Sequence, residues 1–99
     1  MSSYTYVQLY VNELRAVEIT IDDEEEAAFV PDSVTCVVEN SAGSVVMAST
    51  VAMIISNKVK ITIPTTVTAV AGTYNLIWTI NKDSMIYKHK TILNVEVIE

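Results

Sequence analysis

Four groups of side chains in this 99-residue sequence could do chemistry: one histidine, one cysteine, a run of acids and a set of tyrosines. His89 stands in the phrase YKHK, where the flanking lysines would repel a metal cation. Zinc and copper sites gather three or four His, Cys or carboxylate ligands. His89 has no second histidine to join it and no Asp or Glu at ligand spacing, so it is read as a structural strand residue, and neither a metal nor a cofactor is expected. A nucleophilic triad would need His89 as its base, and nothing in the spacing brings a Ser or Cys to it. The two glycines, Gly43 and Gly72, are too few for a phosphate-cradling loop. The chain is therefore read as a non-enzyme.

Cys36 lies in the strand-like run SVTCVVE; being the only cysteine it excludes an intrachain disulfide, and it is read as a buried, inert thiol. The acids Asp22, Asp23, Glu24, Glu25 and Glu26 offer hard oxygens, but the run lacks the alternating ligands and turn glycine of a calcium loop. A solvated loop, or an electrostatic contact with a basic partner, fits it better. Tyr4, Tyr6 and Tyr10 share one face of a strand whose other face is also apolar, so this strand either sits inside a sheet pair or docks on a neighbour. The tyrosines, the acidic run and Phe29 are the candidate partner-contact residues.

The elements that must position these groups are strands. YTYVQLYV alternates Tyr4, Tyr6, Gln8 and Tyr10 against Thr5, Val7, Leu9 and Val11. RAVEITI sets Val17, Ile19 and Ile21 against Glu18 and Thr20, before the acidic run and a loop anchored by Phe29 and Val30. SVTCVVE and SVVMAST flank the turn NSAG as one hairpin; TVAMII and KVKITI flank the triplet Ser56, Asn57 and Lys58 as a second. TTVTAVAG is read as a link over one end of the fold, with Gly72 giving it conformational freedom. TYNLIWTI and MIYKHKTILNVEVI form a third hairpin around NKDS; in its second strand Tyr87, His89, Thr91, Leu93, Val95 and Val97 share a face and Lys88 and Lys90 mark the wetter side. No stretch has the length and caps of a packed helix.

Seven to nine short strands with regular turns predict an all-β, two-sheet antiparallel β-sandwich, one domain over residues 1–99. Its expected core is Val17, Ile19, Val34, Cys36, Ile61, Tyr74, Leu76 and Trp78, with Trp78 at the centre. Apolar residues make up 51% and charged residues 18%, against about a quarter charged in ordinary domains, so some apolar surface is expected to be hidden by a partner. The net charge of −6, with Arg15 the sole arginine, argues against nucleic acid. The longest apolar run, VVMASTVAMII, is too short to span a membrane, and MSSYTYVQLYVNELR does not read as a secretory signal, so synthesis in a cytoplasm is expected. Nine of the twelve acids fall between Glu13 and Glu39 and five of the six bases between Lys58 and Lys90, so copies could pack acidic surface to basic surface, unless the strand order interleaves the two groups.

The stretch AVAGTYNLIWTINKDSMIYKHKTILNVEV resembles the last two strands of immunoglobulin-like domains. That resemblance implies that the Tyr74 hydroxyl bonds back to the backbone of the preceding loop. The cysteine pair of antibody domains is absent. Over residues 15–98, phrases such as SVTCVVENSAGSVV and KVKITIPTTVTAVAGTYNLIWTI are similar to the short immunoglobulin-like proteins of tailed bacteriophage virions. This likeness carries no functional motif and transfers no site residue. It implies a structural protein made in the host cytoplasm and located in the virion: a capsid decoration or cement subunit on the major capsid lattice, or an adaptor at the neck, tail or baseplate. The partners implied are other virion proteins, with a homo-oligomer as a further possibility. An adhesin or carbohydrate-binding module is the alternative reading.

Overall fold

The computed structural model describes residues 4–20, 30–55 and 58–97, with side chains from Tyr6 onward. Among them are eight strands and one short helix: β1 (Tyr4–Tyr10), β2 (Arg15–Thr20), β3 (Ser33–Asn40), β4 (Val45–Val51), β5 (Met53–Ile55), β6 (Lys58–Ile63), α1 (Thr65–Thr68), β7 (Gly72–Lys82) and β8 (Met85–Glu96). The strands make two sheets, one of five in the order β1-β8-β7-β3-β4 and one of three in the order β2-β6-β5. The protein is an all-β two-sheet sandwich.

Period-two burial builds the space between the sheets. Leu76, Trp78 and Ile80 of β7 and Val34, Cys36 and Val38 of β3 are fully buried, and they share one core with Val17 and Ile19 of β2 and Val59, Ile61 and Ile63 of β6. All eight residues expected in the core are at most 6% exposed. Trp78 lies at its middle, and its indole Nε1 donates to the Thr91 hydroxyl at 2.9 Å, so the one polar atom of the ring is satisfied where water cannot reach. In β8 the buried face runs from His89 to Val95; Tyr87 lies on the margin, and Val97, just past the end of the strand, is exposed.

Every strand pair is antiparallel, as expected, except that β1 runs parallel to β8, from Tyr4 beside Lys90 to Tyr10 beside Glu96. After β1 the chain turns at Asn12, which takes a left-handed φ of 67° that asparagine tolerates, and crosses to the other sheet as β2. The second hairpin is shorter than the pattern TVAMII implies. Val51 still belongs to β4, opposite Thr35, and Ala52 is the crossing point, its amide donating to the Val34 carbonyl at 2.9 Å; only Met53–Ile55 pair with β6.

The link over the end of the sandwich contains α1, a single turn beginning after Pro64. Its residues, TTVT, are poor helix formers, so tertiary contacts hold it. Val67 closes the core there, and the buried Thr68 hydroxyl donates to the Glu13 carbonyl at 2.8 Å while the Thr68 carbonyl accepts from the Asn12 amide at 2.9 Å. Beyond it, the Tyr74 hydroxyl donates to the Val70 carbonyl at 2.6 Å, the corner bond that the resemblance implied.

Between the paired residues Lys82 and Met85, both Asp83 (φ 49°) and Ser84 (φ 66°) are left-handed, the conformation of a two-residue type I′ turn. The Asp83 amide is held by the Asp32 carboxylate at 2.9 Å. Serine is a poor occupant of the second position, where glycine is strain-free, so Ser84→Gly is expected to stabilise the fold by about 0.5–1 kcal/mol. A shift of the urea midpoint to higher concentration checks this.

Candidate interaction surface

The side chains that might have carried chemistry are placed apart. His89 is buried, at the register position of Trp78 across β7 and β8, while Lys88 and Lys90 point the other way; Lys88 Nζ donates to the Thr79 hydroxyl at 2.7 Å. Cys36 is fully buried, and desolvation pushes its thiol pKa up to about 12. The unfolded thiol, near 9, ionises first, so this residue's contribution to stability is complete below pH 9 and is lost as pH rises from there toward 12. The folded chain is accordingly expected to resist thiol alkylation at neutral pH, with labelling appearing only on unfolding; rapid labelling of the native protein would contradict the burial. Among the described residues no group of three or more His, Cys, Asp or Glu could hold a metal ion, and no helix is long and apolar enough to cross a membrane.

An open depression of about 340 Å³ lies at one end of the sandwich. It lies between the β3–β4 turn, α1 and the Val70–Thr73 segment, and its lining contains no charged side chain. Its one aromatic, Tyr74, is buried with its hydroxyl committed to Val70. The depression has neither an acid or base nor an exposed ring to offer a ligand.

The outer face of the five-stranded sheet is the more distinctive surface. Register aligns Tyr6, Ile92, Asn75, Glu39 and Val45 in one row across all five strands, with the row Lys90, Ile77 and Val37 beside it. Ile92, Ile77 and Val37 are half-buried at its middle, whereas Tyr6 is 61% exposed and Val45 57% exposed at its two borders. Ile92, Ile77 and Val37 thus form a small apolar group among Asn75, Glu39 and Lys90, with exposed apolar side chains at both borders. Tyr10, also exposed, continues the Tyr6 side, and between the two rings Glu96 accepts from the Gln8 amide at 3.0 Å and the Asn94 amide at 2.7 Å. The tyrosine face of β1 is thus on the outside, and Leu9 on the opposite face fills the core, with Val7 and Val11 packed against it.

A second apolar strip follows the other border, where Val51, Met53 and Ile55 are each more than half exposed along the chain from β4 into β5. No charged residue occurs from Asn40 to Asn57. Pattern reading placed these residues in hairpin strands and did not single out this strip; its lack of charge is the signal that could have found it.

Of the other expected contact residues, Tyr4 lies in β1 at the position of Lys90, and Asp22, Asp23, Glu24, Glu25, Glu26 and Phe29 lie outside the described residues. Val30, expected to anchor its loop, is exposed; the neighbouring Pro31 is buried in its place. The separation of acids and bases along the chain does not persist in space within the smaller sheet, where Glu18 of β2 stands opposite Lys60 of β6.

The fold and this surface define a β-sandwich whose distinctive features are borders and a sheet face rather than a cleft. No protein-family model matches the chain, and no curated protein matches it. Solved structures share the fold: a family 123 glycoside hydrolase from Clostridium perfringens, studied for glycolipid glycan hydrolysis, superposes with a TM-score of 0.57 at 11% identity. The match covers 97% of this chain and 23% of that one, so it concerns a part of the larger protein and shows the fold alone.

Proposed function

We propose that this chain is a non-enzymatic structural protein that acts through protein–protein contacts, as a bacteriophage capsid decoration or cement subunit bound to the major capsid lattice. The observation that carries the contact role is the outer face of the five-stranded sheet, apolar at its centre and bordered by exposed Tyr6, Tyr10, Val45 and Val51. Exposed aromatic and aliphatic side chains at both borders of one sheet face are the kind of surface a partner covers. The virion setting rests on the resemblance over residues 15–98. Incubating the purified chain with capsids and with tails, then sedimenting the particles, tests it: the chain pellets with capsids, whereas a chain that stays in the supernatant with both removes the proposal. Recovery with tails alone, at a few copies per particle, would make it a neck, tail or baseplate adaptor.

One observation favours a second reading, a carbohydrate-recognition module: Tyr6 and Tyr10 flank the hydrogen-bonding set Gln8, Asn94 and Glu96 on an open face. A glycan array with one defined ligand, lost in Tyr6→Ala, would put this reading first.

A further inference from the structure

Along the outer face of β1, rings and an amide alternate: Tyr6, Gln8 and Tyr10 point outward, and all three are exposed. Register gives each a neighbour on the adjoining strands. Tyr6 stands beside Ile92 and then Asn75, Gln8 beside Asn94 and then Thr73, and Tyr10 beside Glu96. The patch is thus polar at its middle row, with a ring on either side.

That middle is organised before any ligand arrives. One oxygen of the Glu96 carboxylate accepts from the Gln8 amide at 3.0 Å and the other from the Asn94 amide at 2.7 Å, which fixes both amides. A side-chain amide has two N–H donors and an acceptor oxygen, so each keeps a donor and an acceptor for a ligand. Tyr10 is held as well. Its amide donates to Glu13 Oε1 at 3.0 Å and its carbonyl accepts from the Glu13 amide at 3.0 Å, so the ring is carried on a fixed backbone.

We propose that this face binds an unbranched, neutral, β-linked glycan laid along β1, with one sugar stacked on Tyr6, another on Tyr10, and the hydroxyls between them bonded by Gln8 and Asn94. The inference rests on the carbohydrate reading above and specifies its ligand. A sugar ring offers C–H groups to an aromatic face and, at its rim, hydroxyls that donate and accept as the two amides do. A protein partner would instead want a dry, apolar middle. The two tyrosines are four strand residues apart, about 13 Å, farther than one sugar ring reaches, so the ligand is an oligosaccharide. Both rings lie on one strand that pairs without a register shift, a course that an extended β-linked chain follows and a curling α-linked chain does not. Charge selects neutrality. Glu96 is the only charged side chain in these three rows of β1, β8 and β7; Glu39 follows Asn75 on β3, and Lys90 lies one row beyond Tyr6, at the end far from Glu96. The carboxylates of an acidic glycan would face Glu96 and be repelled.

Titrations of the isotope-labelled chain, followed by its amide NMR shifts, test this. The probes are cellohexaose and chitohexaose, neutral and β-linked; maltohexaose, neutral and α-linked; and a β-linked mannuronic acid hexamer. At least one neutral β-linked hexamer is expected to shift the amides of residues 6–10 and 94–96. It is expected to bind about tenfold more tightly than its disaccharide, and Tyr6→Ala and Tyr10→Ala are each expected to remove about that factor, the contribution of one aromatic contact, with circular dichroism unchanged. Glu96→Gln is expected to admit the mannuronic acid hexamer, which a purely structural role for Glu96 would not give. The inference is overturned by the absence of shifts with both neutral β-linked hexamers, by a disaccharide that binds as tightly as the hexamer, or by shifts confined to another surface. Preference of the wild type for maltohexaose or the acidic hexamer at β1 overturns it while leaving the carbohydrate reading in place, whereas an empty glycan array removes both. A chain that pellets with capsids and responds to no probe keeps its contact role and loses this site.

Discussion

Replacing Trp78 with alanine is expected to cost about 3–5 kcal/mol, the largest loss from any single truncation considered for this chain. The ring is fully buried between the sheets, with Cys36 at its side across β3 and His89 across β8. Its removal leaves a cavity in the packed core, and it takes away the indole donor that the Thr91 hydroxyl accepts from. A domain of this size has about 5–15 kcal/mol in total, so the variant sits near its folding limit. Urea unfolding followed by far-ultraviolet circular dichroism measures the loss. Trp78→Phe, which keeps most of the ring volume and forfeits the hydrogen bond, is expected to fall between the two. Equal midpoints for wild type and Trp78→Ala would mean that the sheets do not close on this residue.

The second large effect is expected from Tyr74→Phe, which deletes one oxygen and keeps the packing. That oxygen donates to Val70 across the bend that leads from α1 into β7. Val70 is exposed enough for water to replace the hydroxyl, so the loss is that of one net hydrogen bond, about 0.5–1.5 kcal/mol. For a domain of this size each kcal/mol moves the melting temperature by about 4–8 °C, so the change is readable by calorimetry. A change below about 0.5 kcal/mol would assign the tyrosine a packing role only, since a net hydrogen bond contributes about that much at minimum.

Legibility in the sequence followed the strength of the burial contrast. β3, β6 and β7 are central strands with one face in the core and the other toward solvent, so Val34, Cys36, Val38, Ile61, Leu76 and Trp78 fall on the buried face by simple alternation. The hairpins were legible from NSAG and NKDS, whose residues tolerate left-handed backbone; Asn40 shows why, its side-chain oxygen accepting from the amides of both Ala42 and Ser44.

What was not legible depends on neighbours distant in sequence. The parallel partnership of β1 with β8 joins the two ends of the described chain, and local pattern does not say which sheet a terminal strand enters. The crossing at Ala52 divides one apolar run between two sheets, and the alternation breaks there without a glycine or proline to mark it. α1 forms against its own propensities because Val67 and Thr68 fit the end of the core. The interaction surface was half legible: Tyr6 and Tyr10 stood out as a face needing cover, while the exposure of Val51, Met53 and Ile55 emerges only from the border positions of β4 and β5.

The contact role stands or falls on whether the broad sheet is covered in the particle. Hydrogen exchange of the chain, compared free in solution and bound to purified capsids, measures this strand by strand. Coverage predicts slowed exchange at β1 and along the outer row from Tyr6 to Val45, with β2 and β6 of the smaller sheet unchanged. Identical exchange in the two states, or slowing confined to the smaller sheet, would contradict it.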